Sequence, residues 1–323
     1  MMQVVLDHNG ILLKKKNKCF YLVHKRLGQR QISPKKVSSI LIPSECLIST
    51  AAIKLAVEHQ VPIFIATHSG KSIATIRSVG YQNHTSLLRN QVLLQLESRG
   101  LQEVLQWLGL KIHGQYENIL RFISNGEALY QTYQDALEKF NQLSLSDPTA
   151  HINYRHRIMG IEGSFTKLYW QVIRDSIPKL KNIFPKRSKR PALDRGNCML
   201  NYLYGMTYNL VENAIRDAGL NPYIGYYHVD GHQRKSLVFD MIEVFRPWID
   251  ALLVKIVMDE SLYNKYFTIK ETAVYLSKAG RKWLIPLYNV YIQENLSWQD
   301  YRTSRKNHMH RFATEFAQKV KKY

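Results

Sequence analysis

The sequence predicts an α+β protein: a small N-terminal β-sandwich-like domain followed by a larger all-α domain. Two observations carry this reading. Up to about residue 79 the apolar residues come in short runs bounded by turn residues, as strands require. From Leu87 onward they recur every three or four positions, the period of helices packed on a core. Length agrees, since 323 residues suffice for one large domain or two moderate ones with ample core. The domains are placed at 1–82 and 83–323, the first β-rich and the second α-helical.

In chain order, residues 3–6, 11–13, 19–23 and 37–42 read as strands. They are separated by His8-Asn9-Gly10, the lysine-rich 14–18, 28–30 and Ser33-Pro34. Residues 50–59 have helical spacing, with Ser49 or Thr50 as N-cap. Residues 61–66 form another strand, its Pro62 near the start where a missing N–H is tolerated. Ser69-Gly70 then turns the chain. Helices are expected over 87–112, 114–140, 152–177, 198–218, 240–257, 271–279 and 298–321. Polar breaks fall at 141–149 and 181–197.

Charge narrows the function. Lys plus Arg number 45 against 25 Asp plus Glu, a net charge of +20. The excess points to a polyanion, because each neutralised phosphate releases counterions and adds sequence-independent affinity. The ordinary alternative is a cationic surface kept for solubility. Three widely spaced cysteines, Cys19, Cys46 and Cys198, exclude a cysteine-rich zinc site and favour a reducing compartment. The N-terminus resembles no targeting peptide, and no run approaches the roughly 18 apolar residues of a membrane span. A soluble cytoplasmic protein is expected.

Chemistry concentrates in residues 221–247. His228 is followed by Asp240 and Glu243, which stand three apart and so share one face of a helix. With one distant carboxylate, this set of O and N donors suits Mg2+ or Mn2+. Glu162 is a candidate for that carboxylate. It lies between Gly160 and Gly163 inside a helical stretch, where each glycine costs about 1 kcal/mol and admits close approach. Taken singly, each residue has an ordinary reading: a solvated glutamate, a satisfied histidine, a helix-start aspartate, or a Glu243–Arg246 ion pair at i,i+3. The break at 181–197 carries Lys186, Arg187, Lys189, Arg190 and Arg195, and with Arg234 it offers phosphate contacts beside the acidic residues. The basic stretch 301–323 would cover DNA or dock a partner. A different enzyme class, the tyrosine recombinases, would use His308 and Arg311 in an HxxR pattern with Tyr323 as nucleophile. Tyr323 is the final residue, where fraying is expected.

These blocks together resemble the CRISPR-associated integrase/endonuclease of the spacer-acquisition module, the "Cas one" family. The resemblance covers essentially the whole chain. It rests on Ile32-Ser33-Pro34 leading into 37–43, on residues 49–65, and on Gly160-Ile161-Glu162-Gly163. It continues in Arg195-Gly196-Asn197 through Gly205, in Gly219 through His228, and in 236–247. It implies a β-domain for homodimerisation and a helical catalytic domain whose metal ligands are Glu162, His228 and Glu243, with Asp240 an acidic neighbour. It implies strand transfer on double-stranded and forked DNA in a prokaryotic cytoplasm, together with a small "Cas two" partner. Where the family often has Phe-Leu before the histidine, this chain has Tyr226-Tyr227. No role is matched to His232. A non-catalytic basic DNA-binding scaffold is the alternative of another class.

Overall fold

A computed structural model describes residues 2–67, 72–77, 85–97, 99–144, 151–228, 234–259 and 261–323. By compactness the chain forms two units, residues 1–82 with 277–308 and residues 83–276 with 309–323.

The first unit opens with strands β1 (Met2–Val5), β2 (Ile11–Lys16), β3 (Cys19–His24), β4 (Gly28–Ile32), β5 (Val37–Ile42) and β6 (Cys46–Ile48). Helix α1 (Thr50–Glu58) and strands β7 (Ile63–Ala66) and β8 (Ser72–Ile76) follow. Two four-stranded sheets result, ordered β1-β5-β7-β8 and β4-β3-β2-β6. β5 runs parallel to β1 and β7, whereas β2, β3 and β4 form an antiparallel meander. Inward residues of both sheets (Ile11, Leu13, Phe20, Val37, Ile40, Ile63) and Leu55 of α1 share one buried cluster. This is the packed double sheet expected from the short apolar runs. Ser49 caps α1, its hydroxyl accepting the Ala52 N–H at 3.2 Å.

The second unit is mostly helical: α2 (Thr85–Leu96), α3 (Arg99–Phe122), α4 (Tyr130–Ser144), α5 (His151–Ser176), α6 (Pro178–Ile183), α7 (Arg195–Asp217), α8 (Ser236–Ile242) and α9 (Arg246–Asp259). Helix α7 is buried almost all round, the mark of a central helix. Helix α3 buries Leu101, Val104, Leu108, Ile112 and Ile119, with Lys111, Gln115 and Asn118 on the same packed side. Among the described residues no helix is long and apolar enough to cross a membrane.

Several expectations are corrected. The run expected from 83 to 323 is interrupted, because 277–308 belong with the first unit, where the Asn289 amide donates to Gln3 O at 3.3 Å. The helix expected over 114–140 breaks between α3 and α4, where Gly126 packs against Ile119. Of the helix expected over 271–279, residues 271–277 form none. They contribute to a hairpin of β9 (Phe267–Lys270) and β10 (Ala273–Leu276), with Glu271 at positive φ in the turn. Helix α10 (Lys278–Gln293) was missed because Gly280 and Pro286 argue against it; Ser277 caps it and the surrounding packing retains it. The helix expected from 298 starts later, as α11 (Arg305–Lys321), after a hairpin of β11 (Asn295–Trp298) and β12 (Tyr301–Ser304). Its turn sets Gln299 and Asp300 at positive φ without the glycine that normally announces such a turn. Ser69-Gly70, the end of the 141–149 break and His232 lie outside the described residues.

Candidate metal and nucleic-acid site

Asp240, on α8, is fully buried. Its Oδ2 accepts the N–H groups of Tyr226 (2.6 Å) and Tyr227 (3.1 Å). Its Oδ1 accepts the His228 N–H at 2.9 Å and lies 2.7 Å from His228 Nδ1. An ionised carboxylate only accepts, so Nδ1 carries the proton and Nε2 is the nitrogen left for a ligand. One side chain thus fixes three consecutive residues and the tautomer of the ring. Asp240 is therefore not simply an acidic neighbour: both its oxygens are committed. Gly225 makes the arrangement possible, since a Cβ there would stand 2.8 Å from Asp240 Oδ2 and 2.6 Å from Ser236.

Glu243, in the single 3-10 turn between α8 and α9, is buried with a counterion on each oxygen. Arg246 Nη1 lies 3.1 Å from Oε1, and Lys111 Nζ donates to Oε2 at 2.7 Å. Glu162, on α5, accepts from the same Lys111 ammonium and, at 3.2 Å, from the Thr166 hydroxyl. Residues 51 and 132 positions from Lys111 in sequence therefore converge on one cation. Burial alone would push the Glu243 carboxyl up. Arg246 and Lys111 outweigh it, with a smaller contribution from His228, and hold the group at about 2. Burial raises the Tyr227 phenol, and the charges of Glu162, Glu243 and Asp240 add to the rise. The i,i+3 ion pair considered from the sequence thus exists, alongside the convergence. Among the described residues, nothing beyond their own helix backbone and chain neighbours lies within 4 Å of where a Cβ would stand at Gly160 or Gly163.

Among the described residues no three His, Cys, Asp or Glu side chains gather closely enough to hold an ion as they stand. The cation position between Glu162 and Glu243 is taken by the Lys111 ammonium. That stand-in cation is the test of fit: two carboxylates already turn to one positive charge, and an imidazole with its Nδ1 anchored stands close by. Two oxygens and one nitrogen suit a hard divalent ion, so the donor set fits magnesium or manganese.

The basic residues divide. Lys186, Lys189 and Arg190 are exposed. Lys189 feels the charges of Glu243 and Glu162, which brings the basic break beside the acidic pair; partial desolvation, with Arg246 and Arg187 nearby, lowers its ammonium although the side chain reaches solvent. Arg234 is exposed, its guanidinium 5.4 Å from the Phe239 ring centroid. Arg195 is half-buried and donates to Asn264 Oδ1 at 2.7 Å. Arg187 departs from the expectation. It turns inward, donating to Asn197 Oδ1 (2.6 Å) and Asn201 Oδ1 (2.8 Å), so it holds the loop rather than presenting a free charge. Buried Asn197 completes that loop by accepting from Ser188 N and donating to Lys186 O. His308 Nε2 donates to Leu296 O at 2.8 Å, and the ring packs on Trp298. Arg311 pairs with Glu315. The half-exposed Tyr323 ring lies under Arg99 at 4.7 Å. Nothing in these contacts favours a nucleophilic tyrosine.

Sequence reasoning missed Lys111, Asn197 and the Tyr204–Asp250 pair, in which Tyr204 donates its hydroxyl proton to a buried carboxyl that burial pushes up to about 7. The usable signal for Lys111 was its place on the apolar stripe of α3, where an unpaired lysine would be costly. Substituting Gly225→Ala is expected to push Asp240 away from the 226–228 backbone. Stability should fall by ~1–3 kcal/mol, the usual cost of forcing an atom into a filled site, read from denaturant midpoints. The NMR signal of the His228 ring should shift with it. Wild-type stability and an unmoved ring signal would contradict the account.

Residues 4–289 match the family model described as CRISPR associated protein Cas1. A CRISPR-associated endonuclease Cas1 of Pyrobaculum aerophilum is 29% identical over 271 residues, covering 83% of this chain and 87% of its own. Another, from Chlorobaculum tepidum, is 37% identical over 145 residues, or 43% of this chain and 42% of its own. Among solved structures, a Cas1 protein of Thermotoga maritima superposes with a TM-score of 0.81 at 20% identity, covering 99% and 97% of the two chains. A casposase bound to an integration product gives 0.82 at 19%, covering 100% and 91%. This chain belongs to the CRISPR-associated Cas1 family.

Proposed function

We propose that the chain is a metal-dependent DNA endonuclease/integrase that inserts foreign DNA fragments as new spacers into a CRISPR array by phosphodiester transesterification. The observation that carries it is the convergence of Glu162 and Glu243 on one cation position, beside an imidazole held by Asp240. Glu162, Glu243 and His228 Nε2 would hold Mg2+ or Mn2+, which when bound supplies Lewis acidity at the scissile phosphate. The chain's own residues do the rest. Asp240 orients His228. Arg246 keeps Glu243 ionised. Lys189 brings positive charge to the side where a phosphate would enter. The relatives named as endonucleases and the fold shared with a casposase on an integration product support the same chemistry.

DNA, double-stranded or forked, would lie along Lys186, Lys189, Arg190 and Arg234. A homodimer would form through the first unit. There the edge strands β6 and β8 expose Leu47 and Ile73, at 70% and 69% accessibility, as apolar contact points. A small Cas2 partner would bridge two such dimers; solved structures that this chain resembles include a Cas6-RT-Cas1–Cas2 complex.

Strand transfer by purified protein with its Cas2 partner on a CRISPR-repeat substrate tests the chemistry. His228→Ala and Glu243→Ala should each cost at least ~1,000-fold, the several kcal/mol a lost ligand implies, while DNA still binds. EDTA should silence the wild type, and Tyr323→Phe should leave it unchanged. Robust transfer by Glu243→Ala in EDTA would end the metal reading.

Duplex affinity should fall steeply with salt, with a slope near −0.9 per phosphate contacted. Charge reversal at Lys186, Lys189 and Arg190 should reduce that slope by about 2–3. Affinity indifferent to salt would remove DNA from the reading.

Light scattering should give the mass of a dimer, reduced to a monomer by Leu47→Asp with Ile73→Asp. A dimer that survives both changes would place the interface elsewhere.

A further inference from the structure

We propose that Lys111 is a resident counter-cation of the metal site: its ammonium holds Glu162 and Glu243 in place in the metal-free protein and is displaced when a divalent ion binds. The inference rests on the metal reading above and deepens it.

Lysine is almost never fully buried unless paired, and Lys111 is 1% exposed. It projects from the packed side of α3, where Leu108, one turn before it, and the adjacent Ile112 are core. Its Nζ donates to both carboxylates proposed as ligands, one on α5 and one in the turn before α9. Those oxygens need a positive charge at all times. Without one, two carboxylates facing each other in a poorly solvated site repel, and one would take up a proton. Ammonium and divalent ion cannot share the position, because like charges at contact repel and both need the same oxygens.

A destination for the displaced ammonium lies on the same helix. Gln115 sits four residues along, on the same face as Lys111, and is itself buried. Its amide donates to Thr166 at 3.4 Å, and Thr166 donates to Glu162 at 3.2 Å. Among the described residues its buried Oε1 has no hydrogen-bond partner. A buried acceptor left open one turn from a buried three-proton donor is costly unless another state uses it. Lys111 between the carboxylates is one position of the proposed switch, and the open Gln115 acceptor one turn along would be the other.

Metal affinity then carries a penalty, because only the fraction of molecules with the ammonium withdrawn can bind. Removing the lysine removes the penalty. Mn2+ binding to the full-length protein, followed by electron paramagnetic resonance without DNA, tests this with Lys111→Met, Lys111→Arg and a Glu243→Ala control. If the withdrawn state is populated at about 10% or less, Lys111→Met should bind Mn2+ at least ~10-fold more tightly than wild type. Lys111→Arg, which keeps a cation, should bind no more tightly than wild type. Metal-free Lys111→Met should melt lower than wild type and gain more from added Mn2+. Equal or weaker Mn2+ binding by Lys111→Met overturns the inference while leaving the metal site intact. Absence of any Glu243-dependent Mn2+ binding, in wild type and variant alike, overturns the metal reading itself.

Should Lys111→Met not fold, the wild type decides. The side-chain 15N signal of Lys111, sheltered from solvent exchange and assigned by its loss in Lys111→Arg, should move or vanish when Mg2+ is added. A signal unchanged while Mg2+ binds would refute displacement.

Discussion

A carboxylate almost cut off from water has to be met by opposite charge, and Glu243 sets that condition for the second unit. Burial by itself would neutralise it, yet Arg246 on one oxygen and Lys111 on the other keep it ionised. Removing one partner of such a buried pair typically costs 3–5 kcal/mol, because the remaining charge is stranded. The two cations arrive from different helices, α9 and α3, and Lys111 reaches on to Glu162 of α5. Satisfying one buried charge therefore fixes where three helices stand, and the helices so placed form the site.

Asp240 extends the same logic with hydrogen bonds. Its two oxygens take up three backbone N–H groups and an imidazole, so a stretch without regular secondary structure is held as firmly as a helix end. The close approach needs Gly225, whose missing Cβ leaves room for the carboxylate. Around the basic break, Asn197 and Arg187 do comparable work, binding residues 186–188 to the start of α7 through several hydrogen bonds. Exposed Lys186, Lys189 and Arg190 are thereby carried on a loop with a defined course beside the acidic pair.

Buried polar groups in this unit therefore act as positioning devices first. Tyr204 illustrates the point. It donates to the buried Asp250 carboxyl, while the Arg246 and Arg187 guanidinium groups lie 5.1 and 5.9 Å from its ring. The anchor of Glu243 and the anchor of the basic loop share a single aromatic ring. A network of this kind is worth more intact than the sum of its pairs, and it stiffens the region between the carboxylates and the loop.

The sequence by itself determined the fold class, through the change of apolar period near residue 80. It also singled out the residues of the candidate site, because His228, Asp240, Glu243 and Glu162 announce themselves by residue type, by spacing and by the odd Gly-Ile-Glu-Gly context. Local signals were misleading where tertiary packing overruled them. Pro286 sits inside α10, Gln299-Asp300 turns without a glycine, and 277–308 return to the first unit across a long sequence separation. Only the tertiary structure decided which basic residue faces solvent and which is a strut, since Arg187 and Arg190 look alike in a charge run. It alone assigned Asp240 to His228 and the peptide groups before it. It alone put Lys111 between two carboxylates that lie 51 and 132 residues away. Periodicity reports which face of a helix is buried; which charges meet there depends on how helices distant in sequence pack, and no local pattern encodes that.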